Sequence, residues 1–210
     1  TVKVTNMSHM FDSTGYNAMT TLNLGISFNT SLVTNMSGMF QNTGYTEMTG
    51  LNLGEKFKTS KVTDMSYMFT NTGHNAMTSL KLGNEFDTTL VTNMREMFSG
   101  CGKVKLETLD LGTKFNTKNV TDMNAMFAEF GDKITKLDLG DVFYTTNVKD
   151  MYHMFYNCGS SLMTELDLGP AFTKIPNDII TEESVTHNGY EGMFEGTGKT
   201  NKIKIQASEQ

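Results

Sequence analysis

Apolar and polar positions follow one pattern along this chain, and the pattern returns seven times. The phrase Val-Thr-Asn/Asp-Met-x-x-Met-Phe opens at Val4, Val33, Val62, Val91 and Val120, has a close variant at Val148, and survives as a degraded copy ending at Phe194. Its closing Phe falls at 11, 40, 69, 98, 127 and 155, in steps of 29, 29, 29, 29 and 28 residues. A second phrase, Leu-x-Leu-Gly, keeps the same beat from Leu22, Leu51, Leu80, Leu109, Leu137 and Leu166. A fixed period between about 20 and 50 residues marks a stack of supersecondary units, each covering its apolar face on the next. The pattern therefore predicts a solenoid.

Within the unit from Val33 to Val62, Val33, Met36, Met39 and Phe40 stand at i, i+3, i+6 and i+7, one face of a short helix. Gly44 follows Phe40 by four residues, and the same Gly recurs at 15, 73, 102, 131, 159 and 198. A position of positive φ explains that recurrence, and a helix C′ cap supplies one. Leu51 and Leu53 then alternate with polar residues as a half-buried strand does, Gly54 ends the strand, and Phe57 turns back to the core. The expected fold class is an α/β solenoid, leucine-rich-repeat-like, with a parallel β-strand ladder on one side and short helices on the other. Residues 1–172 form six tandem repeats of about 29 residues, and 173–210 form a degenerate C-terminal capping repeat with an insertion at 174–183. Ile203 and Ile205 are placed on a last edge strand, where Lys202 and Lys204 discourage further pairing. Thr1 shares the register of Thr30, Thr59, Thr88, Thr117 and Thr145, so the chain is read as a fragment of a longer protein.

Composition narrows the function classes. A formal net charge of −6 and a pI near 5.2 argue against a nucleic-acid footprint and against a basic membrane-surface helix. No apolar run approaches the roughly 20 residues that span a bilayer, so this fragment is not expected to insert into a membrane directly. All seventeen Met fall on three registers, six with Met36, seven with Met39 and four with Met48, which reads as core filler rather than copper ligation. Thirteen of the fourteen Phe are likewise in register, Phe130 being the exception. Cys101 and Cys158 lie three residues after Phe98 and Phe155. Two repeats of stacking separate them by roughly 10 Å, beyond the reach of a disulfide, so two free thiols are expected.

The string from Leu109 to Phe127, Leu-Asp-Leu-Gly-x-x-Phe-x-Thr-x-x-Val-Thr-Asp-Met-x-x-Met-Phe, resembles the repeat of BspA-like leucine-rich-repeat bacterial surface proteins. The resemblance covers nearly all of 1–172. It implies a bacterial protein that is secreted or held at the cell surface, anchored to wall or lipid, and used in adhesion to host or matrix. The spacing here is slightly longer than that repeat commonly shows, and the insertion at 174–183 departs from it.

On an exposed solenoid face, the residue between the two Leu of each strand reads Asn23, Asn52, Lys81, Asp110, Asp138, Asp167. These six are the candidate partner-binding residues, the last three forming an acidic stripe with steps of about 4.8 Å. A solvated strand face is the competing explanation. The column before it reads Thr21, Gly50, Ser79, Thr108, Lys136, Glu165, and Tyr16, Tyr45 and His74 share a loop edge. His9, Gly38, Tyr67, Glu96, Ala125 and His153 form one column on the predicted helix face. His9 and His153 are five repeats apart, roughly 25 Å, and no triad, metal motif or phosphate loop is present. The expected function is non-catalytic and needs no cofactor or metal: an extracellular binding module for a host or matrix protein or a glycan. The alternative is a structural spacer that presents another domain, and a third class is an enzyme whose active domain lies elsewhere in a longer chain.

Overall fold

The computed structural model describes residues 3–176, 179–182, 185–198 and 204–206. Six three-residue strands occupy the Leu-x-Leu phrase: β1 (Thr21–Asn23), β2 (Gly50–Asn52), β3 (Ser79–Lys81), β4 (Thr108–Asp110), β5 (Lys136–Asp138) and β6 (Glu165–Asp167). They pair in parallel with Leu opposite Leu, as β1–β2, β3–β4 and β5–β6. The insertion contributes β7 (Ile179–Glu182), which pairs antiparallel with β8 (Val185–Asn188). A last strand, β9 (Lys204–Gln206), lies parallel to β6 with Ile205 opposite Leu166; Lys202 and Ile203 fall outside the described residues.

The opposite wall is not helical. Among the described residues there is no helix, so the expected α/β class is corrected to a β-rich repeat fold built on short parallel strand pairs. The segment after each Asn/Asp is a ribbon of overlapping turns. Met39 N–H donates to the Met36 carbonyl (3.1 Å), Gln41 to Gly38 (3.0 Å) and Thr43 to Phe40 (3.0 Å). The intervening amides leave the repeat altogether: Gly38 donates to the Ser66 carbonyl (2.8 Å), Phe40 to Met68 (2.9 Å) and Asn42 to Thr70 (2.8 Å). This division requires left-handed residues at Gly38 (φ 60°), Asn42 (φ 54°) and Gly44 (φ 56°), and a single left-handed residue ends a right-handed helix. The predicted helix-face column is the first of these positions. His9, Tyr67, Glu96, Ala125 and His153 all have φ between 50° and 59° there. The positive φ expected for Gly44 is present, but it belongs to the ribbon. A Cβ on Gly44 would lie 2.3 Å from Met48 Cβ.

The spacing i, i+3, i+7 nonetheless aims the same side chains inward. Met36, Met39, Phe40, Met65, Met68 and Phe69 are fully buried. Phe11, Phe40, Phe69, Phe98, Phe127, Phe155 and Phe194 stack ring on ring with centroids 5.3–5.7 Å apart. Such offset pairs each contribute about 0.5–1.5 kcal/mol beyond the burial of their area. Phe130, out of register with the other Phe, fills the place that Cys101 and Cys158 hold in their repeats. It is buried edge-on against Phe127, centroids 5.5 Å apart. A row of parallel bridges, Asn6–Asn35–Asp64–Asn93–Asp122–Asp150, joins six successive repeats without a break. Each of these residues turns its Oδ1 to the amide two positions on, as Asn35 does to Ser37 (2.9 Å). Short side chains that accept from a nearby amide are what an Asx turn needs.

A candidate recognition face on the strand side

The six candidate residues lie together on one surface. Asn23, Asn52, Lys81, Asp110 and Asp138 are exposed, and Asp167 is half-buried. Five of them also have a local structural role that accounts for their side chains. Oδ1 of Asn23, Asn52, Asp110, Asp138 and Asp167 accepts the amide of Gly25 (2.9 Å), Gly54 (3.0 Å), Gly112 (2.9 Å), Gly140 (2.9 Å) and Gly169 (3.1 Å). Asn and Asp are interchangeable in this turn, so the change from Asn to Asp along the row alters surface charge without altering the backbone. Lys81 has no acceptor to offer and breaks the series.

The acidic stripe carries its own counter-ion. Lys136 Nζ sits 2.8 Å from Glu165, 3.5 Å from Asp138 and 3.9 Å from Asp167. Its ammonium is held above the ordinary lysine pKa, chiefly by the hydrogen bond to Glu165. The sequence reading treated Lys136 as part of a separate column and missed this neutralisation. In parallel strands, however, a residue two positions earlier shares the same face.

The row is also interrupted. Within strand pairs the ladder continues past the strand: Leu24 N–H donates to Asn52 carbonyl, Leu82 to Asp110 and Leu139 to Asp167, each at 3.0 Å. No ladder bond joins β2 to β3 or β4 to β5 among the described residues. The buried Thr column follows the same alternation. Thr30, Thr88 and Thr145 each accept an amide from the next repeat, whereas Thr59 and Thr117 only donate, to the Asp87 and Tyr144 carbonyls. Each interruption coincides with a cleft. One of about 560 Å³ is lined by Asn52, Leu53, Lys81 and the loops bearing Ile26, Glu55 and Asn84. The other, about 520 Å³, is lined by Asp110, Leu111, Asp138 and Asp141. The repeated phrase does not signal this pairing of repeats, because it stands in the same form at both kinds of junction.

The other candidates fall on separate surfaces. Tyr16, Tyr45 and His74 stack face to face, centroids 4.7 and 4.4 Å apart, so each ring covers its neighbour and the inner faces are closed to a ligand. On the turn ribbon, Glu96 is half-buried, and burial, more than the opposing Arg95 and the repelling Asp122, raises its carboxyl above the usual range. The same desolvation, followed by repulsion from Glu96, raises the Tyr67 phenol. Cys101 and Cys158 are buried free thiols, pushed well above the usual cysteine range by burial. His187 of β8 is buried with Nε2 3.9 Å from Asp150 Oδ2, and Asn124 Nδ2 donates to that oxygen (3.0 Å). This contact depends on the inserted β7–β8 hairpin and has no counterpart in the repeat pattern. No group of three or more His, Cys, Asp or Glu among the described residues is arranged to hold a metal ion. No described helix is long and apolar enough to cross a membrane.

Comparison with curated proteins and with solved structures finds no match. Residues 1–79 and 74–167, which together hold the repeats with their strand row and turn ribbon, match the family described as "Mycoplasma protein of unknown function, DUF285". The chain belongs to the DUF285 family.

Proposed function

We propose that this chain is a leucine-rich-repeat-like solenoid of the BspA-like kind, and that it serves as a non-catalytic binding module of a bacterial surface protein. It engages a host or matrix protein or a glycan through the strand face. One observation carries the reading. The buried columns repeat the same residues, whereas the exposed strand positions change chemistry from Asn23 and Asn52 through Lys81 to Asp110, Asp138 and Asp167, although the turn they cap accepts Asn or Asp equally. A surface free of binding duties has no reason to gather its three carboxylates in the second half of the row. Secretion or attachment to wall or lipid is part of the same proposal.

The test is an array of glycans and extracellular-matrix proteins probed with the chain, at low and raised salt. A retained ligand that is lost when Asp110, Asp138 and Asp167 are all replaced by Asn supports the strand face. That substitution keeps every Oδ1 acceptor, removes the charge and replaces each Oδ2 acceptor by an Nδ2 donor. Silence across the array from folded protein would overturn the reading. A spacer is the second reading, favoured by the unbroken turn ribbon, whose inter-repeat hydrogen bonds run through every repeat from His9 to His153 and make the stack stiff along its length.

A further inference from the structure

The two clefts between strand pairs share a backbone and differ in chemistry, and that difference selects a ligand class. In the β2–β3 cleft the Leu53 N–H and the Lys81 carbonyl, the counterparts of a 3.0 Å bond between Leu24 and Asn52, make no hydrogen bond among the described residues. Leu53 is buried and Lys81 exposed, and both line the cleft, so their unpaired backbone groups are satisfied by water that enters it, or by a ligand group that donates and accepts at once. A hydroxyl does both. Beside them, Asn23 and Asn52 have Oδ1 fixed by the Gly25 and Gly54 amides, so both present Nδ2 as a donor outward. Ile26, 71% exposed, supplies apolar surface beside them, whereas Leu51 turns its side chain to the core. The cleft is not acidic, because Glu85 is held by Lys58 (3.9 Å) and Lys114 (3.3 Å). The β4–β5 cleft instead presents Asp110, Asp138 and Asp141, acceptors only.

We propose that the β2–β3 cleft is an oligosaccharide subsite. Sugar hydroxyls bridge the Leu53 N–H and Lys81 carbonyl and accept from Asn23, Asn52 and Lys81, and the apolar face of a pyranose ring lies on Ile26. This rests on the binding-module reading and specifies its ligand.

The experiment is an amide-resolved NMR titration of the ¹⁵N-labelled full chain with maltotriose, cellotriose and chitotriose, each to roughly millimolar concentration, where a weak single subsite still binds. The expected result is saturable shifts at Leu53, Gly54 and Leu82 for at least one trisaccharide, with Leu111 and Gly112 unmoved. In N52D, which keeps the turn as Asp110 does in its own repeat, affinity falls about tenfold through loss of one donor that the bound sugar covers. Shifts that centre on the β4–β5 cleft or the turn ribbon would overturn the site, as would wild-type affinity in N52D. No shifts with any of the three would overturn the oligosaccharide class. If the same protein sample is still retained by an immobilised matrix protein, the binding-module reading survives that failure; if it is not, both fall.

Discussion

The alternation between paired and unpaired repeats makes a quantitative prediction at buried threonine. Thr88 and Thr59 occupy the same register, are both fully buried, and their hydroxyls differ in one bond. Thr88 Oγ1 donates to the Asn116 carbonyl (2.8 Å) and accepts the Asn116 amide (2.7 Å), whereas Thr59 Oγ1 only donates, to the Asp87 carbonyl (2.7 Å). Thr→Val keeps the branched shape and deletes the hydroxyl, so each former partner loses its hydrogen bond. A buried group left unsatisfied costs about 1–3 kcal/mol, and Asn116 and Asp87 are only half-buried, which favours the lower part of that range. Thr59→Val is therefore expected to cost about 1–2 kcal/mol and Thr88→Val about 2–4 kcal/mol. Equilibrium urea denaturation of both variants reads the difference, with an unchanged slope confirming that the same surface unfolds. The reasoning is refuted if the two costs are equal, or if Thr59→Val is the larger. Equal costs would mean that successive repeats are joined alike in solution, and a larger cost at Thr59 that the β2–β3 junction is the tighter one.

Three further outcomes follow from the ribbon and the core. Gly44→Ala is expected to cost about 2–5 kcal/mol, combining left-handed strain with overlap on Met48 Cβ, while Ala125→Gly, which relieves strain at φ 50°, should gain about 0.5–1 kcal/mol; thermal and urea midpoints of the pair check both signs. Because the folded fold raises Glu96 above its unfolded value, its contribution to stability is complete below the ordinary carboxylate pKa and is lost as pH rises through the raised value. Glu96→Gln should therefore be more stable than the parent at pH 7 and equal to it near about pH 4, as denaturation midpoints at the two pH values would show. Cys101 and Cys158, buried with raised thiol pKa values, should resist a thiol-specific disulfide reagent at neutral pH in the native protein and react at once in denaturant; reaction of either before unfolding would contradict their burial.

The turn ribbon shows why the repeat and the core were legible in the sequence while the secondary structure of one wall was not. Val33, Met36, Met39 and Phe40 must all reach one side, and a two-turn helix and a ribbon of overlapping turns both achieve that with the same spacing. Hydrophobic periodicity reports which side chains are buried, and here it reports them correctly. It does not report where the amides point. The discriminating signal lay at the polar positions, two residues to either side of each Phe. Gly38, Asn42, Asn71, Gly100, Asn157, Gly192 and Gly196 are residues that tolerate left-handed φ, and several in one short segment are incompatible with a helix interior. His9, Tyr67, Glu96 and His153 at the same register masked it, since bulky side chains seldom adopt that conformation. They are held there because their amides donate to the next repeat, as His9 does to Ser37 (2.9 Å) and Tyr67 to Arg95 (2.8 Å). The gaps in the strand row have a different origin. Asn52 and Lys81 stand in the same phrase as Asn23 and Asn52, yet one junction closes and the other does not. The shared phrase cannot encode a difference between junctions, so that difference rests on the positions where copies depart from it and on how the copies assemble. Any ligand that reads the stack at one junction is consequently reading the assembly together with the few side chains, Lys81 first among them, that depart from the repeat.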